Sequence, residues 1–417
     1  LKRWLYILCA AILVWSTVEY IVPSALLTLS APVDLSGEAD QEMSYFPNQY
    51  EPSRARFLGY RQKLINAGYQ AEVFSYPIDE KASLYIDVLQ INPAKQKENL
   101  LVFTSGVHGV EGFVGSAMME AFVQEQLGSL NRDNTGVMLV HAVNPWGMKN
   151  KRRYNENNVD LNRNFVMDWK ALNHLQNQEY LVWDHFLQPQ RQLGNSTLHE
   201  LGFHVGLAYN LLDAGSESLR KALLSGQYSN PQGVYFGGDG DELSTKYMKN
   251  ILLSMLNDTY QNIVHIDLHT GYGPRYQMSI FSSGSETLKE DEAIKAFGYP
   301  LVYTPDSEEY YTTSGDMTEY LYQLQTKRFP QKKLYSTTFE FGTLGDGTVA
   351  SVDSVKYTVD ENRLYWHGTS DKRTEQIVKN RYLEMFDPAE REWRVKALED
   401  FRLALKGVLT YRGVVGK

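Results

Sequence analysis

The sequence predicts an α/β sandwich built around a mixed, largely parallel sheet. Three observations lead there. Short apolar or alternating runs of strand length are interleaved with longer stretches of helical period. At 417 residues the chain is long enough to bury a sizeable core. It also carries no internal repeat and no Pro- or Ser-rich linker, so one main domain from about Gln41 to the end is expected.

Taken in order, the chain opens with Lys2 and Arg3 followed by "WLYILCAAILVWSTV", an uncharged run of 15 residues. A cationic flank before such a run predicts a signal peptide or membrane anchor over residues 1–30. The run falls short of the roughly 20 residues of a full span. After a loop to about Asn48, "EPSRARFLGYRQKLINAG" has a helical period and stops at Gly68. Six strands are expected: "SLYIDVLQI", "NLLVFTSG", "GVMLVHAV", "NIVHIDLHTG", "QMSIFSS" and "KLYSTTFEFG". Helices are expected over Phe113–Leu127, Trp169–Leu193, Glu217–Leu224, Leu243–Leu256, Glu286–Phe297 and Met317–Gln325. An amphipathic helix, "EREWRVKALEDFRLALKGVL", closes the chain.

Composition narrows the chemistry. A formal charge of −9 with no sustained Lys/Arg stripe argues against nucleic-acid binding. The cluster Lys149, Lys151, Arg152 and Arg153 is short enough to be a solvated turn. Cys9 is the only cysteine, so there is no disulfide framework, no thiolate metal site and no cysteine nucleophile beyond the N-terminus. A bound metal would have to be held by His, Asp or Glu. No G-x-S-x-G elbow supports a serine mechanism.

Ligands in such folds gather at the carboxyl ends of the strands, and the chemically capable residues fall there. His108 and Glu111 sit in "TSGVHGVEG", where glycines permit a tight backbone. One imidazole and one carboxylate three residues apart suit a cation of zinc type, although a loop histidine and a solvated glutamate would give the same string. In "HIDLHTGYG" the strand period puts His265, Asp267 and His269 on one face. His269, at the strand end, is the best placed to add a third ligand; His265 is expected to be structural. The polar stretch "KRRYNENNVDLNRNF" offers Arg153, Asn162 and Arg163, whose guanidinium forks fit oxyanions. Glu340 lies late in the last expected strand.

In chain order, "HGVEG", "R-x-N-x-x-x-VDLNRNF", "DLHTG" and "TFEFGT" resemble the zinc metallocarboxypeptidase family, the carboxypeptidase A/B-like clan, in a bacterial branch. The resemblance covers four blocks from His108 to Glu340. It implies a three-layer sandwich of carboxypeptidase-like (phosphorylase/hydrolase-like) type. It further implies one Zn2+ held by His108, Glu111 and His269, with Asp160 orienting His108. Arg153 would polarise the scissile carbonyl. Asn162 and Arg163 would hold the substrate carboxylate, and Glu340 would be the general base. The tyrosine that closes over substrate would be Tyr310 or Tyr311, with Tyr311 preferred.

The long insert, about residues 168–256, departs from a minimal carboxypeptidase. Within it, "GQYSNPQGVYFGGDGDELS" lacks the spacing of a calcium loop at Asp239, Asp241 and Glu242, and a specificity loop is expected there instead. The expected activity is hydrolysis of a C-terminal peptide or amide bond. A zinc deacylase or amidase acting on N-acyl amino acids or cell-wall peptides is the alternative, and a catalytically idle anchored binding protein the third. Either hydrolase would act on a substrate with a free carboxylate, from an exported, membrane-anchored position.

Overall fold

The computed structural model describes residues 41–172, 177–194, 196–307, 310 and 313–415. The expected signal or anchor segment, 1–30, lies outside them, as does Tyr311. Among the described residues no helix is long and apolar enough to cross a membrane.

The first helix, α1 (Tyr50–Asn66), ends where Gly68 adopts a left-handed φ of 82°. That turn lets the Gly68 and Tyr69 amides reach back to Ile65 and Leu64. Strands β1 (Gln70–Asp79), β2 (Leu84–Asn92) and β3 (Asn99–Ser105) follow, then α2 (Gly112–Ala121) and β4 (Thr135–His141). Next come α3 (Pro145–Asn150), α4 (Gln178–Leu187), α5 (Ser196–Ala214), α6 (Ser216–Leu224) and α7 (Leu243–Asn257). The chain continues through β5 (Asn262–Gly271), β6 (Met278–Ser282), α8 (Glu290–Phe297), β7 (Val302–Tyr303), α9 (Met317–Arg328) and β8 (Lys333–Gly342). Helices α10 (Thr348–His367), α11 (Lys372–Phe386) and α12 (Arg391–Tyr411) complete it.

The strands form one eight-stranded sheet in the order β1-β2-β4-β3-β5-β8-β6-β7. The central four, β4, β3, β5 and β8, run parallel. Strands β1, β2 and β6 join antiparallel, so the sheet is mixed. Helices cover both faces. One apolar core packs α1, α2 and α12 against Leu101, Phe103, Val264, Ile266 and Phe339. The opposite core packs α7 and α9 against Leu100, Val102, Val140 and Ile263. Coverage on both sides is why β3 and β4 are buried at every position and read as continuous apolar runs.

Several expected boundaries change. The helix expected over Trp169–Leu193 is confined to Gln178–Leu187 among the described residues: the Asn177 side chain caps its first turn at the Tyr180 amide, and Pro189 follows its end. Helix α8 starts at Glu290 rather than Glu286. Strands β1 and β7 and helices α5, α10 and α11 carry no clear apolar period in the sequence. In α10 the reason is visible, since Lys356, Asp360, Glu361 and Arg363 are among its buried residues. A helix that turns charged residues inward conceals its buried face.

Candidate metal centre

Four adjacent parallel strands deliver the site. His108 follows β3, the polar stretch 151–165 follows β4 and α3, His269 lies near the end of β5, and Glu340 lies near the end of β8. Because β4, β3, β5 and β8 are neighbours, their carboxyl ends bring these residues to one rim.

Glu111 ends a short 3-10 turn, Gly109–Glu111, that begins just after His108. The turn is held by Gly109 and Val110 amides donating to the carbonyls of Arg153 and Arg152. Such an approach requires glycine: a Cβ on Gly109 would lie 2.2 Å from the Gly147 carbonyl carbon. His108 Nδ1 lies 2.8 Å from Glu111 Oε1, and His269 Nδ1 lies 3.0 Å from Glu111 Oε2. The ligand atoms of His108, Glu111 and His269 all fall within 4.8 Å of one another, and the three residues are buried.

Each imidazole is held from behind. His108 Nε2 lies 3.1 Å from Asp160 Oδ1, and His269 Nε2 lies 2.7 Å from Asp267 Oδ2. Both rings therefore turn Nδ1 toward the same point, with a carboxylate on the far nitrogen, the arrangement that metal-ligating histidines usually have. Asp160 does more than this. Its second oxygen accepts from Arg153 Nε at 2.8 Å, and its Oδ1 also accepts the Asn162 amide. The Arg153 guanidinium reaches to 3.8 Å from Glu111 Oε1.

The electrostatics follow from crowding. Burial alone would raise Glu111, yet the two imidazoles hold it down at about 2. Burial would likewise raise Asp160, but Arg153, His108 and Arg163 hold it well below the usual carboxylate range. For His269 burial opposes protonation, and the carboxylates of Asp267 and Glu111 outweigh it, raising its pKa. The negative potential that favours a proton there also favours a metal cation. Glu340 goes the other way: burial, then the nearby charge of Glu111, pushes it up to about 8. It pairs in register with His269, and its Oε1 accepts the Tyr272 amide at 3.0 Å.

The remaining predicted residues are near but engaged differently. Asn162 donates to Asp316 Oδ2 at 3.0 Å and accepts the Met317 amide at 3.1 Å, tying this stretch to the start of α9. One N–H of its amide is left for other use. Arg163 is 5% exposed. Its Nη1 donates to the Asn162 carbonyl, and its Nε is buried with no partner among the described residues. The Tyr310 ring stacks on Phe281, with centroids 5.2 Å apart.

The glycine-rich loop in the expected insert braces the site. Asn164 donates to the carbonyls of Gly237 and Gly240, and the Asp160 amide donates to Phe236. Asp241 and Glu242 are occupied by Trp169, Lys249, Asn155 and Asn157. Tyr235, at a φ of 59°, has its ring 5.6 Å from the Arg153 guanidinium. The sequence gives no sign of that contact. Asp267 was within reach of sequence reasoning, because the D-x-H alternation puts it on the face of His269.

A family model described as "Protein of unknown function (DUF2817)" matches residues 46–400. No curated protein matches the sequence. Among solved structures, bovine thrombin-activatable fibrinolysis inhibitor in complex with tick carboxypeptidase inhibitor is 15% identical with a TM-score of 0.43, covering 82% of this chain and 100% of that one. Carboxypeptidase A from Helicoverpa armigera is 14% identical with a TM-score of 0.46, covering 88% of this chain and 81% of that one. Succinylglutamate desuccinylase from Chromobacterium violaceum is 12% identical with a TM-score of 0.33, covering 73% and 72%.

Proposed function

The chain belongs to the DUF2817 family, whose description assigns it no function, and from that premise we propose that it is a divalent-metal hydrolase cleaving a C-terminal peptide or amide bond. The observation that carries this reading is the convergence of His108, Glu111 and His269, whose ligand atoms lie within 4.8 Å of one another, beside a carboxylate on the neighbouring strand. Two nitrogens and a carboxylate, buried and backed by carboxylates, form a donor set that fits zinc. Bound there, a zinc ion would polarise the scissile carbonyl and acidify the attacking water.

The chain's own residues supply the rest. Glu340 would take a proton from water and pass it to the leaving amine, and the rise that burial and Glu111 give its pKa strengthens it as a proton acceptor once ionised. Arg153, locked by Asp160 and kept cationic by it and by Glu111, faces the place where the carbonyl oxygen gains charge. Arg163, whose buried Nε has no partner among the described residues, and Asn162, with its remaining N–H, would hold a substrate carboxylate. Tyr310 or Tyr311 would close the cleft over the substrate.

The same Arg163 supports a second reading, a deacylase or amidase on N-acyl amino acids or cell-wall peptides, since those substrates also present a free carboxylate. Purified protein loaded with zinc is to be assayed on C-terminal peptide and N-acyl amino acid panels, with zinc content measured in parallel. The peptidase reading expects peptides to be cleaved and His108→Ala to lose both metal and turnover. Turnover of N-acyl amino acids alone would favour the second reading. Full metal and activity in His108→Ala would sink both.

A further inference from the structure

Behind His269, away from the cleft, buried side chains from β3, β5 and β8 form one continuous line of hydrogen bonds. Ser336 Oγ lies 2.8 Å from His265 Nδ1, and His265 Nε2 lies 2.9 Å from Thr104 Oγ1. Thr104 Oγ1 donates to Asp267 Oδ1 at 2.6 Å, and Asp267 Oδ2 meets His269 Nε2 at 2.7 Å. Ser336, His265, Thr104, Asp267 and His269 are all 3% exposed or less. Strand register places them together, with Thr104 opposite Asp267 and His265 opposite Ser336.

Proton accounting gives the line a direction. The Thr104 hydroxyl has one proton and spends it on the Asp267 carboxylate, so toward His265 it can only accept. His265 must then carry its proton on Nε2 and accept at Nδ1 from the Ser336 hydroxyl. At the other end, a carboxylate that accepts at both oxygens requires the proton of His269 on Nε2. That makes Nδ1 the nitrogen of His269 that faces Glu111 and the candidate metal position, and the one that would give up its proton to a cation there.

We propose that Thr104, His265 and Ser336 are positioning residues that set metal affinity by fixing the tautomer and angle of His269 through Asp267. This rests on His269 being a metal ligand, as argued above, but it assigns a task to three residues that touch neither metal nor substrate. A sheet interior could be filled with apolar side chains at all three positions. A polar line here, whose donors from Ser336 through Thr104 run in turn to the carboxylate that holds a metal ligand, instead orients that ligand.

The test is a competition between metal-free full-length protein and a chromophoric chelator for zinc ion alone, with histidine tautomers read from side-chain 15N shifts. Thr104→Val is expected to weaken zinc binding about tenfold, at the lower end for groups behind a ligand. Thr104→Ser, which keeps the hydroxyl, should bind as the wild type does. Wild-type His265 should show the Nε2–H form. Should Thr104→Val fail to fold, Ser336→Ala carries the test, with weaker binding and loss of the single tautomer expected. Unchanged affinity in the folded variants, or an Nδ1–H His265 in the wild type, overturns the proposal while leaving the metal reading intact. A wild type that binds no zinc sinks the metal reading itself, and the proposal with it.

Discussion

Asp160 shows how much of this site depends on single side chains, because one buried carboxylate orients His108, Arg153 and the Asn162 amide together. The family resemblance carried by "VDLNRNF" implied its hold on His108, whereas its grip on Arg153 required coordinates. Glu340 is the opposite case: an acidic group whose pKa burial and Glu111 raise against the pull of His269 and Arg153. Replacing it with glutamine removes the proton acceptor and keeps the shape. Glu340→Gln is therefore expected to lower turnover by about 10²–10⁴-fold. Zinc content should stay at the wild-type level, since the residue is not among the three converging ligands. Parallel metal analysis and steady-state kinetics check both halves, and an active variant would remove Glu340 from the reaction.

At the level of elements, the 3-10 turn carrying Glu111 is pressed against α3 so closely that a methyl group cannot enter. Gly109→Ala is expected to displace the turn, cost about 1–3 kcal/mol of stability, and weaken zinc binding at least tenfold. Thermal melts with and without zinc read the two effects separately. The stretch 151–165 is anchored from its other side by Arg152, whose Nε and Nη2 meet the two carboxylate oxygens of Glu361 on α10 at 2.6 and 3.2 Å. Both side chains are largely buried. Arg152→Ala would strand the Glu361 charge, and an unfolding free energy lower by about 3–5 kcal/mol is expected from denaturant titration. That anchor was illegible beforehand, since the sequence offered Arg152 only as part of a basic turn and α10 as no helix at all.

Across the whole molecule, buried histidines outside the three candidate ligands make stability depend on pH on the acid side. Burial, with Arg56 and Arg54 nearby, pushes His141 down to about 3, and burial pushes His265 down to about 4. Their ordinary value is 6.5, so below it the unfolded chain takes up protons that the folded chain refuses. Stability from these groups is present above pH 6.5 and is lost as pH falls toward 4 and 3. Each contributes up to about 1.4 kcal/mol per pH unit in that window. His141→Gln, which cannot take up the proton, should flatten the acid limb by about that amount, as read from urea midpoints between pH 6 and 4. Equal slopes in both proteins would contradict the assignment.

By itself, the sequence determined six of the eight strands, the lack of any thiol after Cys9 and, as candidates, the His, Asp and Glu residues at strand ends. Each depends on local period, composition or short-range spacing, all of which are written along one chain. The order β4-β3-β5-β8, the shared task of Asp160, the line from Ser336 to His269 and the inward charges of α10 were decided only in three dimensions. Strand neighbours and buried ion pairs join residues as far apart as Arg152 and Glu361, and no spacing rule reaches across a crossover to name the partner.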